Sequence, residues 1–155
     1  MKIIYYDSTG RYLAVIAAAI HLGQLDSNGG LPEWNQLEEL TYFNSDDRIK
    51  AGEIIFIGRD QLGNDIYILG SEGVGGVIEK AISGIKRIFN IEVEDIFVDL
   101  TKYENWRFNL GLVIKSLNFS FLANRLIYNN LTDFFSEVKE IVSEIKGRQV
   151  DESNL

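Results

Sequence analysis

The sequence predicts an α/β protein, a three-layer sandwich around a mostly parallel, Rossmann-like sheet of about five strands with one antiparallel hairpin. Short β-favouring apolar runs alternate with longer segments whose apolar residues recur at helical spacing. The runs lack an apolar–polar alternation, which is typical of strands buried on both faces of a parallel sheet. One connection, at 59–64, is too short for a crossover helix and therefore predicts the hairpin. Alternation of strands and helices favours helices packed on both faces of the sheet.

The chain begins with a strand, a polar turn and a helix. Residues 3–6 form the predicted strand, and the Asp-Ser-Thr-Gly sequence at 7–10 interrupts it with turn and cap residues. Residues 12–22 are rich in Ala, Leu and Ile, and Gly23 follows as a typical C-cap. In parallel sheets, ligands bind beyond the carboxyl ends of the strands, so this turn is the first place to look for a site.

Four further strands are predicted downstream. Each is a short run of β-branched, aromatic or leucine residues bounded by polar residues or glycine. The first two are joined by the short connection that predicts the hairpin, and the last is only four residues long. Their ranges are 53–58, 65–69, 95–100 and 125–128.

Four further helices are predicted from apolar residues at three- and four-residue spacings. The helix at 104–117 carries Trp106, Leu110, Val113 and Leu117 on one face. The last helix begins at Asn130 or Thr132, and its apolar stripe predicts that it covers an outer face of the sheet, whereas the first helix is apolar nearly all round and should lie inside the fold. The predicted ranges are 37–43, 77–89, 104–117 and 130–146.

One domain is predicted for 1–147, with a flexible polar tail at 148–155. The formal net charge of −8 and the lack of a Lys/Arg cluster argue against nucleic acid as a partner. The absence of cysteine excludes disulfides, thiol catalysis and Cys-ligated metals, and the single histidine excludes a His-rich metal site within one chain. No segment approaches membrane-spanning length and no signal pattern is present, so we expect a cytoplasmic protein that does not bind membranes.

Three strings of sequence, taken in order, carry a family resemblance. They are AAAIHLG at 17–23, IIFIGRDQLGNDIYILG at 54–70 and IEVEDIFVDL at 91–100. Together they resemble a small bacterial family catalogued as domain of unknown function three-one-eight-nine, over residues 2 to about 145. The resemblance implies the fold but no particular activity. It also implies a first loop with a Cys and a His, and both are missing here at 6–12, so any thiol-dependent activity would have been lost or replaced.

The first turn is a candidate ligand site. Ser8, Thr9 and Gly10 place hydroxyls and amides at a helix N-terminus, which suits an anion, and Arg11 can add a charge-assisted contact. We expect the amides of residues 9–11 to point into a shallow pocket at the sheet edge, because the first N–H groups of a helix have no partner within the helix. The alternative is a loop closed by the side chain of Asp7.

The glycine-rich loop at 70–76 is a second candidate ligand site. Gly73 and Gly75 can place backbone amides around an anion. The loop lacks the lysine of a Walker loop and does not follow the dinucleotide fingerprint, and Glu72 would repel a phosphate. The alternative is a loop whose glycines allow the following helix to pack closely.

Asp7 and Asp99 both follow predicted strands and are the candidate catalytic or metal-binding residues. On adjacent strands, two such carboxylates can hold Mg²⁺ or divide acid and base roles. Alternatively, Asp7 caps the first helix and Asp99 accepts from loop amides. His21, near the end of the first helix, fits an interaction with that helix terminus better than catalysis, and no serine triad pattern is present.

Two function classes remain open. The first is a non-catalytic module without a cofactor, which binds a small anionic ligand or a protein partner, a homodimer included. Exposure of several aromatic residues together would mark such a partner interface. The second is a Mg²⁺-assisted hydrolase or transferase acting on a phosphorylated small molecule through Asp7, Thr9 and Asp99. Carboxylates of Asp7 and Asp99 within roughly 4–5 Å would favour the enzyme, and a first loop closed by its own hydrogen bonds would favour the module.

Overall fold

The computed structural model describes residues 1–26, 28–45, 50, 52–91 and 94–153, with side chains described as far as Arg148. In the described chain the sheet has four strands, fewer than the five predicted. Its order is β2-β3-β1-β4, with β1 parallel to β3 and β4 and with β2 antiparallel to β3. The mixed α/β fold and the hairpin are therefore confirmed, and the three-layer, Rossmann-like arrangement stays a prediction. The strands are β1 (Lys2–Asp7), β2 (Ile54–Arg59), β3 (Asp65–Gly70) and β4 (Asp95–Asp99).

Five α-helices and one short 3₁₀ turn, Thr101–Tyr103, complete the described fold. The short helix predicted at 37–43 is a single turn that lies earlier in the chain. A capping box formed by Glu33 and Gln36 fixes its start. The helices are α1 (Leu13–His21), α2 (Trp34–Leu37), α3 (Gly75–Ile88), α4 (Trp106–Ser116) and α5 (Ser120–Ser153).

The predicted final strand at 125–128 is wrong, because these residues lie inside α5. The helix begins at Ser120, so Asn130 and Thr132 are not its cap. The hydroxyl of Thr132 donates to the carbonyl oxygen of Tyr128 at 2.9 Å, as expected within a helix. The apolar run 126–128 is short enough to fit both periods, and the helical one wins because the buried side chains recur every three or four residues along α5. These are Ala123, Ile127, Leu131, Phe135, Val138, Val142 and Ile145.

Strand β1 is central and is buried on both faces, as predicted. Ile3 and Tyr5 point into the main core, which also contains residues of α1 and α5. Ile4 and Tyr6 point to the opposite face, where a smaller cluster includes Ile78 of α3. Both faces of this strand are therefore covered by apolar side chains.

Helix α1 is buried along its whole length, which confirms the prediction that it lies inside the fold. It contacts β1 and β3 on one side and α5 on the other. The apolar stripe of α5 is also buried. The sequence predicted that this helix covers an outer face of the sheet, whereas it packs on α1 and α4. The order of packing is therefore sheet, α1, then α5.

Helix α5 extends to Ser153, into the segment 148–155 that the sequence predicts as a flexible tail. Residues 154–155 lie outside the described residues, and the division of the chain at 147 stays a prediction. Although α5 has 34 residues, it is too polar to span a bilayer. The same holds for every helix in the described part of the chain, none of which combines the length and apolarity of a membrane span.

Gly111 allows α4 and α5 to pack closely. An ideal Cβ at this position would lie 2.8 Å from Cγ1 of Ile127 and 3.2 Å from the carbonyl oxygen of Ala123. We expect Gly111→Ala to lower the free energy of unfolding by about 1–3 kcal/mol, because the packed helices must shift apart. Urea unfolding monitored by circular dichroism measures this change.

Gly84→Ala in α3 is the matched control. An ideal Cβ there meets no atom within 4 Å, so the substitution should raise the free energy of unfolding by about 0.5–1 kcal/mol through helix propensity alone. Stabilisation by both substitutions would contradict the close packing of α4 on α5.

Candidate functional site

The carboxyl ends of β1, β3 and β4 meet at one edge of the sheet, called the carboxyl edge below. Strand register places Asp7 beside Gly70 of β3, and Tyr6 beside Asp99 of β4. The first turn (7–12), the glycine-rich loop (70–76) and the segment after β4 (99–105) therefore lie together. All of the residues that the sequence marked as candidates follow these three strands. They are Asp7, Ser8, Thr9, Gly10, Arg11, Gly73, Gly75 and Asp99.

The carboxylate of Asp7 occupies the anion-binding position of the first turn. Its Oδ1 accepts from the amide of Thr9 at 2.8 Å, from the Thr9 hydroxyl at 3.2 Å and from the amide of Gly10. Its Oδ2 accepts from the amides of Tyr12 at 3.3 Å and Ala14 at 2.9 Å. Asp7 is fully buried, so this side chain supplies the negative charge and the acceptors that the N-terminus of α1 would otherwise find in a ligand.

The expectation that the amides of residues 9–11 point into an open pocket is therefore wrong. The amides of Thr9 and Gly10 donate to Asp7, and the amide of Arg11 donates to the hydroxyl of Thr9 at 3.2 Å. One buried carboxylate accepts from four backbone amides. The first loop is thus closed by its own hydrogen bonds, and ligand binding by Ser8, Thr9, Gly10 and Arg11 stays a prediction.

The backbones of the first turn and the glycine-rich loop lie in direct contact. Gly10 has φ +72°, and an ideal Cβ on it would lie 2.6 Å from the amide nitrogen of Gly70. The amide and hydroxyl of Ser71 donate to the carbonyl oxygen of Asp7 at 2.9 and 3.0 Å, and the amide of Glu72 donates to that of Ser8 at 2.8 Å. The two loops therefore form one hydrogen-bonded unit.

The glycines at the start of α3 also serve packing and turn geometry. An ideal Cβ on Gly75 would collide with the ring of Tyr6, so only glycine lets α3 begin this close to β1. Gly73 has φ +82°, a conformation that favours glycine. These features support the packing alternative for the loop, and anion binding by Gly73 and Gly75 stays a prediction.

Asp99 lies on the strand adjacent to Asp7, but its carboxylate is used by its own loop. Oδ1 accepts from the amide of Thr101 at 2.9 Å and from the Thr101 hydroxyl at 2.6 Å. Burial, together with the charge of Asp99 and a hydrogen bond to it, raises the pKa of Tyr6 to about 12. Among the described side chains, no group of three or more His, Asp or Glu residues is placed to hold a metal ion.

Glu104 completes the carboxyl edge and was missed from the sequence. Its Oε1 accepts from the amide of Ser8 at 3.0 Å and from the Ser8 hydroxyl at 2.8 Å. Burial and the nearby charges of Asp7 and Asp99 raise the pKa of Glu104 to about 8, so its carboxyl is largely protonated at neutral pH. The sequence feature that could have identified Glu104 is its position just after β4. Asp99 was singled out because it follows a parallel strand, and the same reasoning applies to the whole loop after that strand.

The comparison with known proteins agrees with a fold that extends over nearly the whole chain. The family model described as "Protein of unknown function (DUF3189)" matches residues 2–147. The chain belongs to this family. The resemblance in the three sequence strings is thereby confirmed. No curated protein and no solved structure matches the chain, and the family description names no activity.

A second polar cluster in this DUF3189 protein lies at the opposite edge of the sheet. The hydroxyl of Tyr5 is 2.7 Å from Nδ1 of His21, and Nε2 of His21 is 3.1 Å from Oδ2 of Asp60. Burial lowers the pKa of His21 despite its contact with Asp60, so the neutral ring accepts from Tyr5 and donates to Asp60. The side chain of His21 has no exposed surface, so this cluster ties β1, α1 and the β2–β3 turn together without presenting the imidazole to a ligand.

A broad apolar surface lies on α4, on the connection 117–119 and on the first turn of α5. The face of α4 that the sequence singled out is turned to solvent, because the helix buries Phe108 and Gly111 on its other side. The exposed fractions of the side chains range from 40% at Leu110 to 84% at Phe121. This surface is called the α4–α5 surface below. It consists of Trp106, Leu110, Val113, Leu117, Phe119, Phe121 and Leu122.

Replacing the central carboxylate tests the closed first turn. We expect Asp7→Asn to lower the free energy of unfolding by about 2–4 kcal/mol, because the amide nitrogen of Asn would face backbone N–H donors in a buried position. Asp26→Asn is the control, since Asp26 accepts from the amide of Asn28 at 2.8 Å in an exposed turn, and its replacement should cost less than about 0.5 kcal/mol. Equal effects in urea unfolding at neutral pH would contradict the role given to Asp7.

The raised pKa of Glu104 predicts a pH dependence of stability. The native carboxyl keeps its proton up to about pH 8, whereas the unfolded one loses it near 4.5, so the free energy of unfolding should fall as pH rises between these values. Glu104→Gln keeps an acceptor for Ser8 and carries no charge. We expect it to be more stable than the parent by roughly 1 kcal/mol or more at pH 8 and to match it near pH 4.5. A constant difference across this range would refute the assignment.

Proposed function

We propose that this DUF3189 protein is a protein-interaction module that binds its partner through the α4–α5 surface. The observation that carries the proposal is the orientation of α4. This helix uses Phe108 and Gly111 for the core of its own chain and leaves a second apolar face, with Trp106 and Val113, in solvent. Large contiguous apolar surfaces of this kind mark sites of association in soluble proteins.

The size of the surface supports a functional role. Trp106, Phe119 and Phe121 are 68%, 65% and 84% exposed. Aromatic side chains have roughly 150–250 Å² each, so these three contribute on the order of 400 Å². With the four aliphatic residues the surface approaches roughly 800 Å², above the roughly 300–600 Å² of the largest apolar patch on a typical monomer.

The composition of the surrounding segment supports a protein partner. Residues 105–132 contain no Asp or Glu, although the whole chain has a formal net charge of −8. The charged residues of the segment are Arg107, Lys115 and Arg125. Depletion of charge and enrichment in Trp and Phe are the features that distinguish the buried part of protein interfaces from other surface.

The carboxyl edge supports the module over the Mg²⁺-assisted enzyme. The carboxylate of Asp7 already accepts from four amides, and that of Asp99 accepts from Thr101. A metal would have to compete with these donors, and an anion in the first turn would have to displace Asp7. The geometry of this edge therefore favours a structural role for both carboxylates.

Site-specific photo-crosslinking in living cells tests the proposed function. A benzoylphenylalanine placed at Val113 should form light-dependent adducts with a discrete protein, because this position lies in the middle of the α4–α5 surface to which the partner would bind. The same group at Leu62, which is 50% exposed at the β2–β3 turn, is the matched control and should form none. Adding Leu110→Glu should reduce the adduct about tenfold, the effect of roughly 1.4 kcal/mol lost in binding. Absent adducts, or equal yields from both positions, would overturn the proposal.

A further inference from the structure

We propose that the partner is a second copy of this chain, and that the protein is a homodimer in which α4 packs against α4 of its twofold mate. The inference rests on the proposed function, because it names the partner of the same α4–α5 surface. It is carried by the residue pattern of α4, by its flanking charges and by the area of the surface.

The exposed apolar residues of α4 form the seam of a helix–helix contact. Trp106, Leu110, Val113 and Leu117 follow one another at intervals of four, three and four residues. This is the spacing of the a and d positions in a heptad, which places a narrow apolar row along one side of the helix. A row of this width fits a single helix better than a flat surface or a small pocket.

The residues that flank the seam can face identical residues of a second chain without strong charge repulsion. Arg107, Asn109, Ile114 and Ser116 occupy the flanking positions, so only one of them is charged. In a twofold contact each flank meets a copy of the same set, and a strongly charged flank would repel itself. In an antiparallel crossing Arg107 would lie opposite the last turn of the partner helix, whose carbonyl groups carry partial negative charge.

The area is sufficient for a stable dimer. A twofold contact that covered the whole α4–α5 surface would remove roughly 800 Å² from each copy, or about 1,600 Å² in total, which is the standard size of a stable protein interface. Phe119 and Phe121, at the corner between α4 and α5, would extend the contact beyond the seam and supply aromatic anchors near its end.

An anionic lipid surface is a less suitable occupant. Helices that lie on membranes carry many lysine and arginine residues beside their apolar face. Here Arg107 and Arg125 are the exposed basic residues of the described segment 105–132, because Lys115 is half-buried and donates to the hydroxyl of Tyr12 at 3.2 Å. The formal net charge of −8 would also repel such a surface.

Sedimentation equilibrium of the purified full chain tests the dimer. At micromolar concentration the mass should be twice 17.6 kDa. The double variant Leu110→Glu, Val113→Glu should sediment at the monomer mass, because it places two charges within the apolar seam. The matched control is Ile85→Glu, Ile88→Glu, which alters two exposed residues of α3 and should leave the dimer mass unchanged.

Cysteine trapping tests the geometry of the contact independently. The natural chain has no cysteine, so a single Val113→Cys substitution introduces the only thiol. Position 113 lies near the middle of the seam, where a twofold axis would bring the two copies close enough for a disulfide. Mild oxidation should therefore give a covalent dimer from Val113→Cys and a monomer from Ile88→Cys.

The outcomes separate this inference from the proposed function. A purified chain that sediments as a monomer at high micromolar concentration overturns the dimer, while adducts from position 113 with a different protein leave the interaction module standing. Binding of the monomer to vesicles that contain anionic lipid, lost in the double variant, overturns the dimer in favour of a lipid surface. If the chain does not self-associate and position 113 also gives no adducts, both proposals are overturned.

Discussion

The buried carboxylate of Asp7 is the interaction on which the carboxyl edge depends. A charge in a fully buried position is stable only when donors surround it, and here four backbone amides and a hydroxyl do so. Through these bonds the end of β1 fixes the start of α1. The carbonyl oxygen of the same residue accepts from Ser71, which joins the glycine-rich loop to the first turn. Asp7 therefore sets the positions of β1, the start of α1 and the loop that follows β3 relative to one another.

The first turn is filled by its own side chain, and the proposed function rests on another part of the surface. The proposed interface uses helix α4, because its 11 residues are apolar on two sides. Phe108 and Gly111 fit against α5, and the row that begins at Trp106 faces solvent. An exposed apolar side on a helix is a feature of association surfaces, and the proposed function therefore assigns it to a partner.

The sequence predicted elements well where one pattern dominates and poorly where two compete. Strand β1 and the hairpin follow from uninterrupted apolar runs and a connection too short for a helix. The segment 125–128 was mistaken because its three apolar residues, 126–128, fit a strand as well as a helix, and only the buried side chains that recur along α5 decide for the helix. Glu104 was missed because its partner Ser8 is 96 residues away, a contact that no local spacing reveals. The sequence showed that Trp106 shares one face of α4 with Leu110, Val113 and Leu117. Periodicity alone does not tell which of the two apolar faces of this helix is buried.

The two polar clusters at opposite edges of the sheet respond to acid in opposite ways. Glu104 at the carboxyl edge prefers to keep its proton in the fold, whereas His21 at the other edge prefers to remain without one. Acid therefore favours the first cluster and destabilises the second, because burial penalises a charged imidazole despite its contact with Asp60. The two contributions to stability therefore run in opposite directions: that of Glu104 is lost as pH rises from 4.5 towards 8, and that of His21 is lost as pH falls below 6.5.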